Sequence, residues 1–309
     1  MNIVFMGTPD FAVPCLKALV ENGENVVAVY TQPDKPKGRG YKMIPTPVKK
    51  AALEYNLPVY QPVSFKKGED AQQEVEKLRN LNPDLIIAVA YGQILPESVL
   101  EIPKYKCINI HASLLPKYRG AGPIQWSILN GEKITGVTAM YMEKGLDTGD
   151  MLLKAEVEIG ENETASELHD NLSQLGADVL IRTIEKVKNG TLEPVKQNDA
   201  ESTYAPMISK DMCRIDFNDT AQNIHNKIRG ITGFAMLGGK RLKIFRSEIV
   251  KNSKSDLPCG TVIDDRKFTV VCGDGVCINL LEVQAEGGKR LKVTDYLRGN
   301  KISAGICFD

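Results

Sequence analysis

Two polar side chains that could take part in catalysis, Asn109 and His111, lie two residues apart in the segment Ile108-Asn-Ile-His111. In a β-strand, residues separated by two share a face, so both side chains are expected on the same side. An amide NH₂ can donate a hydrogen bond to the oxyanion of a tetrahedral intermediate, and an imidazole can donate to it or carry a proton. The pair could therefore serve acyl transfer. The competing interpretation is a polar strand end capped by a turn, which is the commoner role for one such histidine.

A carboxylate that could assist the histidine occurs further along, in the glycine-flanked turn Gly145-Leu-Asp147-Thr-Gly149. If the fold brings Asp147 beside His111, the carboxylate would orient the imidazole and stabilise its protonated form. An aspartate in a turn is usually only a turn residue, so this contact is a hypothesis that needs a structure.

The elements around these residues predict an α/β domain. Short apolar segments at residues 3–6, 26–31, 85–90 and 107–110 have the length of buried strands, and segments 11–21, 45–55 and 71–81 have helical spacing. This alternation predicts a Rossmann-like, doubly wound and mostly parallel sheet. Ligands of such sheets bind beyond the carboxyl ends of the strands, which selects residues 7–10, 91–93, 109–122 and the turn at Asp147.

The residue pattern changes after a long segment with helical spacing at 164–189. That segment begins with a predicted capping box between Thr164 and Glu167. Residues 190–206 are polar and rich in turn formers, which indicates a linker. Short strand-like segments then follow at 241–245, 260–263, 268–272 and 276–283. They predict a smaller C-terminal β-barrel domain. The expected division is a catalytic domain at 1–189, a linker at 190–206 and a second domain at 207–309.

Composition is that of an ordinary globular protein, with 42% hydrophobic and 25% charged residues. No apolar segment has the length of a membrane span, and no targeting segment is recognised, so a cytoplasmic protein without membrane contact is expected. The seven cysteines include no CxxC pair, which favours reduced thiols and no metal site. Residues 206–309 carry 17 Lys and Arg against 12 Asp and Glu, a net of +5 that hints at a polyanionic partner.

The segment Asn109-Ile-His-Ala-Ser-Leu-Leu-Pro116, together with Leu146-Asp-Thr-Gly-Asp150, resembles the signature of folate-dependent formyltransferases. The resemblance implies that Asn109, His111 and Asp147 are catalytic and that 10-formyltetrahydrofolate donates the formyl group, without a metal. It also implies a folate-contacting loop and a pterin position near the preceding strand end. The residues implied to bind the folate are Ser113, Leu114, Leu115, Pro116, Tyr91, Gly92 and Gln93.

Three features resemble the branch of that family that acts on methionyl-tRNA. They are the opening Phe5-Met-Gly-Thr-Pro-Asp-Phe11, a Lys-, Gly- and Pro-rich insertion at 34–46, and a basic domain of about 100 residues at the C-terminal end. The resemblance implies that the insertion reaches the acceptor stem of initiator methionyl-tRNA, with Lys37, Arg39 and Lys42 as contacts. It also implies an OB-like fold for the C-terminal domain, and a monomer is expected.

Two alternatives keep part of this interpretation. The same chemistry could act on a small amine such as glycinamide ribonucleotide or an amino sugar, or the scaffold could bind RNA without catalysis. A basic loop by itself is more often a solvated surface. One departure from the family pattern is at 231–236, where Ile-Thr-Gly-Phe-Ala-Met replaces the usual Pro-Trp-Pro-like stretch.

Overall fold

A computed structural model describes residues 1–37 and 42–309 of the chain. Its helices are α1 Val13–Glu21, α2 Pro47–Glu54, α3 Ala71–Asn80, α4 Glu97–Leu100, α5 Pro123–Leu129, α6 Ala165–Asn189, α7 Ala221–Ile231 and α8 Val293–Gly299. The first strands are β1 Asn2–Gly7, β2 Asn25–Tyr30, β3 Lys35–Lys37, β4 Lys42–Ile44, β5 Val59–Tyr60, β6 Leu85–Val89, β7 Cys107–His111, β8 Ile134–Tyr141 and β9 Met151–Glu158. The later strands are β10 Phe234–Leu237, β11 Lys240–Ile249, β12 Val262–Asp264, β13 Thr269–Val271, β14 Cys277–Ala285 and β15 Leu291–Lys292.

The N-terminal sheet has the order β5-β2-β1-β6-β7-β8-β9. The first five strands in this order, β5, β2, β1, β6 and β7, each run parallel to their neighbours, whereas β7 and β8 are antiparallel. All five residues of β6 are buried, as expected for a strand covered on both faces of the sheet. The predicted mostly parallel α/β domain is confirmed.

The C-terminal part contains an antiparallel sheet with the order β10-β11-β14-β13-β12, and β15 pairs with β14. Its core includes the fully buried Ile244, Phe268 and Ile278. The sheet is curled in the manner of a half-barrel, and it confirms the predicted β-rich second part of the fold. Helix α7 packs on β11, and Thr220 caps its N-terminus, where the Thr220 hydroxyl accepts a hydrogen bond from the backbone N–H of Asn223.

Contacts between Cα atoms group the chain into two compact units. The first comprises residues 1–120, 135–157 and 169–204, and the second comprises 121–134, 158–168 and 205–309. The predicted capping box at the start of α6 is confirmed, because Thr164 N–H donates to Glu167 Oε2 at 2.9 Å and Glu167 N–H donates to Thr164 Oγ1 at 3.4 Å. Within the two described ranges, no helix is both long and apolar enough to cross a membrane.

The stretch that departs from the family pattern forms the end of α7 and the beginning of β10. Helix α7 stops at Ile231, and Thr232 takes a left-handed conformation with φ of 56° as its C-terminal cap. A Cβ at Gly233 would lie 2.6 Å from the Ile215 side chain, so this position is closely packed. A larger residue at position 233 would therefore displace the Ile215 side chain.

Candidate active site

The strand β7 carries Asn109 and His111 on one face, as the sequence predicts. Asn109 is paired with Ala88 of β6 and Met140 of β8, and His111 lies opposite Thr138 of β8. His111 is 6% exposed, whereas Asn109 is half-buried. Among the residues that the structure describes, no group hydrogen-bonds the Asn109 side-chain amide. Its NH₂ can therefore donate to a bound molecule.

Both ring nitrogens of His111 face protein oxygen atoms. Nε2 lies 2.9 Å from the carbonyl oxygen of Tyr118, which can only accept, so Nε2 carries the hydrogen. Nδ1 lies 3.7 Å from Oδ2 of Asp147. This separation exceeds a direct hydrogen bond, but it allows an ion pair when the imidazole is protonated. The structure thus brings together the two residues whose contact the sequence could only suggest.

The turn that carries Asp147 is held in an unusual conformation. Asp147 has φ of 54°, in the left-handed region, and its Oδ2 accepts a hydrogen bond from the backbone N–H of Gly120 at 2.8 Å. A Cβ at Gly149 would lie 1.9 Å from the carbonyl oxygen of Tyr141, so only glycine fits at that position. Tyr118 also has a positive φ, of 61°. Such conformations persist where surrounding contacts over-determine them, and they cluster at functional sites.

Two residues without a predicted role, Gln197 and Arg119, complete this arrangement. Gln197 Nε2 donates to the carbonyl oxygens of Asp147 and Gly149, at 2.8 and 2.7 Å. Gln197 Oε1 accepts hydrogen bonds from Arg119 Nε and Nη2, at 3.0 and 2.8 Å. A weak sequence signal existed for Arg119, which follows the histidine motif. No signal existed for Gln197, which stands in a polar, turn-rich segment.

The predicted folate loop, residues 113–116, contains a cis peptide bond between Leu115 and Pro116, and Leu114 and Pro116 are partly exposed beside the buried Leu115. Buried hydrogen bonds hold it. Thr138 Oγ1 donates to the Ser113 carbonyl oxygen at 2.7 Å and accepts from Leu115 N–H at 3.1 Å. Ser113 Oγ donates to the Lys117 carbonyl oxygen at 2.7 Å. Because of these hydrogen bonds, the loop presents a fixed backbone.

Lys154 also contacts this loop, because its Nζ donates a hydrogen bond to the carbonyl oxygen of Leu115. Burial disfavours the charged ammonium group and lowers the pKa of Lys154.

The segment after β6 carries the other predicted folate residues, Tyr91, Gly92 and Gln93. Ala90 and Gly92 have φ of 46° and 82°, and Thr8 Oγ1 donates to the Tyr91 carbonyl oxygen at 2.7 Å. Gln93 Nε2 donates to the carbonyl oxygen of Pro62 at 2.9 Å. Within the described part of the chain, the buried Oε1 of Gln93 and the Tyr91 hydroxyl have no hydrogen-bond partner. Burial raises the pKa of Tyr91, so this hydroxyl stays protonated.

The predicted tRNA-contact residues belong to a short hairpin of β3 and β4, in which Lys37 pairs with Lys42. Arg39 lies outside the described residues, as do the side chains of Lys37 and Lys42. The base of this hairpin is fixed by Asp34, which accepts from Lys49 Nζ at 2.6 Å and from Gln61 Nε2 at 2.7 Å. The Lys49 hydrogen bond is the main reason that the pKa of Asp34 is lowered.

The described residues contain no group of three or more His, Cys, Asp or Glu side chains arranged to hold a metal ion. His225 is buried in the second unit, and it uses both ring nitrogens there, toward Ser247 Oγ at 2.9 Å and the Glu161 carbonyl oxygen at 3.0 Å. It is thus a packing histidine in this arrangement.

Comparison with known families gives the site a context. Residues 1–184 match the family described as formyl transferase, and residues 207–301 match the formyl transferase C-terminal domain. The chain belongs to the formyl transferase family. The two matches cover the mostly parallel sheet with its Asn109, His111 and Asp147, and the antiparallel sheet that follows.

Individual formyl transferases are similar over nearly the entire chain. Methionyl-tRNA formyltransferase of Alkaliphilus oremlandii is 52% identical over 99% of this chain and 98% of its own length. The enzyme of the same name from Clostridium novyi is 52% identical over 98% of both chains. The crystal structure of an N-formyltransferase from Helicobacter canadensis, in complex with folinic acid and dTDP-3-aminofucose, has a TM-score of 0.70. At 23% identity over 91% of this chain and 98% of that one, it shows the fold alone.

Proposed function

We propose that this formyl transferase moves the formyl group of 10-formyltetrahydrofolate to the α-amino group of methionine on initiator methionyl-tRNA. The product would be N-formylmethionyl-tRNA for translation initiation. The observation that carries the proposal is the 52% identity to methionyl-tRNA formyltransferases over nearly the full length of both chains. The arrangement of Asn109 and His111 on one strand, with Asp147 near His111, also supports this chemistry.

In the proposed mechanism, the neutral amine of the acceptor attacks the formyl carbon, and the carbonyl oxygen becomes an oxyanion. When this tetrahedral intermediate collapses, the bond from the formyl carbon to N10 breaks, N10 takes up the proton that the amine loses, and tetrahydrofolate leaves. The Asn109 amide donates a hydrogen bond to that oxyanion. His111 assists proton transfer through Nδ1, because its Nε2 is already engaged by Tyr118. Asp147 stabilises the imidazolium across the 3.7 Å separation. The proposed reaction needs neither a covalent enzyme intermediate nor a metal.

The donor is proposed to bind along residues 113–116 and 91–93. The fixed backbone of the first segment suits a planar ring, because few groups need to be ordered on binding. The unpartnered Oε1 of Gln93 is a buried acceptor that a ring N–H could satisfy. The donor supplies the formyl group, and these residues orient it toward Asn109.

The acceptor tRNA is proposed to contact the insertion at 34–46, through Lys37, Arg39 and Lys42, and the basic domain at 207–309. Residues 1–189 would form the catalytic domain and 190–206 the connection between the two. Cationic side chains spaced by Gly and Pro can bind phosphates of the acceptor stem. We propose further that the protein is a monomer in the cytoplasm.

One assay tests the proposal and its alternatives. Purified protein is given 10-formyltetrahydrofolate with methionyl-tRNA, with glycinamide ribonucleotide, with an amino-sugar nucleotide, or with no acceptor, and transfer of labelled formyl is measured. Fast transfer only to methionyl-tRNA is expected. Transfer to a small amine would replace the acceptor assignment, and RNA binding without consumption of the donor would contradict catalysis.

Two variants connect that assay to the site. Removing one oxyanion donor costs on the order of 10²–10³ in rate, so Asn109→Ala should lose that much turnover while remaining folded. His111→Ala should also be severely impaired. Near-normal formylation by both variants would show that the assigned residues are wrong, even if the wild-type activity is as proposed.

A further inference from the structure

The side chain of Gln197 has an unusual environment for a polar residue outside any recognised motif. It is 6% exposed, and its amide is fully used. Nε2 donates to the carbonyl oxygens of Asp147 and Gly149, and Oε1 accepts two hydrogen bonds from the guanidinium of Arg119. Two donors and two acceptor positions are all that an amide side chain offers in its plane. Gln197 is thus a complete bridge between the Asp147 turn and Arg119.

Arg119 stands between the two backbone groups that contact the proposed catalytic pair. The residue before it, Tyr118, accepts the hydrogen bond of His111 Nε2, and the residue after it, Gly120, donates to Asp147 Oδ2. Tyr118 N–H donates to Thr203 Oγ1 at 2.8 Å, and Arg119 N–H donates to the Thr203 carbonyl oxygen at 2.9 Å. Gln197 and Thr203 therefore hold the segments on both sides of the His111–Asp147 contact.

The conformation of the turn requires such support. Asp147 is not a glycine, yet its φ of 54° places it in the left-handed region. Residues other than glycine rarely adopt this conformation, and it persists where neighbouring contacts determine it. The Gln197 side chain hydrogen-bonds the main chain of this turn on both sides of Thr148. Without it, two carbonyl groups would lose this donor, and Arg119 would keep its hydrogen bond to Asp199 Oδ1 but lose the two to Gln197.

We propose that Gln197, backed by Arg119, is a positioning residue that fixes the Asp147 carboxylate relative to His111. It acts through Asp147 and makes no contact with the reacting atoms. This inference rests on the proposed catalytic function of His111 and Asp147. A misplacement of about 1 Å in a catalytic group can reduce the rate by about 10²-fold, so the effect should appear in kcat.

Two substitutions separate the donor and acceptor functions of the amide. Gln197→Met keeps the approximate shape and removes every hydrogen bond. Gln197→Glu keeps an acceptor for Arg119 but cannot donate to the Asp147 and Gly149 carbonyl oxygens. Both variants should lose kcat by roughly 10- to 100-fold. The KM values for donor and methionyl-tRNA should stay within about threefold, because the proposed binding residues are untouched.

Asn198→Ala provides the matched control. Asn198 is the next residue, and its exposed side chain bonds within its own turn, to Ala200 N–H and Glu201 Oε1. This variant should keep the wild-type kcat. A wild-type kcat for Gln197→Met would overturn the inference, and so would a loss in Gln197→Met that Asn198→Ala reproduces.

A double-mutant cycle with Asp147→Ala excludes a merely structural effect. Single-turnover rates with enzyme in excess keep slow variants measurable. If Gln197 acts through Asp147, Gln197→Met should cost less than about threefold once Asp147 is already alanine. An undiminished 10- to 100-fold cost in that background would overturn the inference and leave the proposed function intact. Wild-type rates for Asp147→Ala would instead contradict the proposed role of Asp147, and the inference with it.

Discussion

Nδ1 of His111 lies 3.7 Å from Oδ2 of Asp147, and the same carboxylate oxygen accepts the Gly120 N–H at 2.8 Å. The opposite ring nitrogen of His111 is held by the Tyr118 carbonyl oxygen. The imidazole is therefore oriented on one side by Tyr118 of the loop after β7 and on the other by Asp147 of the turn after β8. The two ring nitrogens of His111 thus face a carboxylate on one side and a main-chain carbonyl on the other.

The charge of Asp147 should be required for fast formyl transfer. Asp147→Asn retains an oxygen that can accept from Gly120, but its amide cannot stabilise the imidazolium. Proton-transfer assistance contributes typically 10²–10⁴-fold, so we expect kcat to fall by roughly that range. Single-turnover formylation of methionyl-tRNA measures the effect. A rate within about threefold of wild type would contradict the proposed mechanism.

The loop at 113–116 should lose affinity for the donor when its internal support is removed. Thr138→Val deletes the hydroxyl that bonds the Ser113 carbonyl oxygen and the Leu115 N–H, both without replacement. Unsatisfied buried groups cost about 1–3 kcal/mol each, so the free energy of unfolding should fall. The KM for 10-formyltetrahydrofolate should rise, while the KM for methionyl-tRNA stays unchanged. Steady-state titration of each substrate checks this.

Thr183→Val is the matched control for that experiment. Thr183 is fully buried, and its hydroxyl bonds the Val179 carbonyl oxygen within α6. The variant also removes a buried threonine hydroxyl, but within α6 and not beside the loop, so it should leave the donor KM unchanged whatever its effect on the free energy of unfolding. An equal rise in donor KM for both variants would show that Thr138 acts only through stability.

The insertion at 34–46 should contribute to tRNA affinity by charge. Arg39→Ala should raise the KM for methionyl-tRNA and leave the donor KM unchanged. If Arg39 binds one phosphate, the substitution should reduce the slope of log affinity against log salt by about one. Arg79→Ala is a suitable control, because Arg79 is an exposed arginine on α3 that pairs with Glu76. Equal effects of the two substitutions would contradict a specific role for Arg39.

Stability should decline in mild acid because of His225. Burial lowers the pKa of His225 from its ordinary value of 6.5, so the folded state holds the ring neutral. At low pH, the unfolded chain binds a proton more readily than the folded chain. The contribution is therefore present above pH 6.5 and is lost as pH falls through the depressed folded pKa. Thermal unfolding of wild type from about pH 7.5 to about pH 5 should show a falling midpoint.

The substitution that checks this is His225→Gln, whose amide can donate to the Glu161 carbonyl oxygen and accept from Ser247 without titrating. Its midpoint should depend less on pH than that of wild type over the same range. Parallel midpoint curves for the two proteins would assign the acid sensitivity to other groups.

Features that depend on local spacing could be predicted from the sequence alone. The continuous apolar segments predicted buried parallel strands, and the structure has β6 at Leu85–Val89 and β7 at Cys107–His111. The capping box at Thr164 and Glu167 is formed, because both partners lie within one helical turn. The alignment of Asn109 with His111 follows from the period of a strand, whatever the rest of the fold does.

Which distant groups meet depends instead on tertiary packing. The contact of Asp147 with His111 requires a particular placement of the turn after β8, and a glycine-flanked aspartate has no preference for a particular partner. Gln197 could not be singled out beforehand, because its polar surroundings are typical of an exposed turn. Its burial arises from a two-sided fit between Arg119 and the Asp147 turn. Such contacts join segments far apart in the chain, so they form and contribute to stability only once the sheet has brought those segments together.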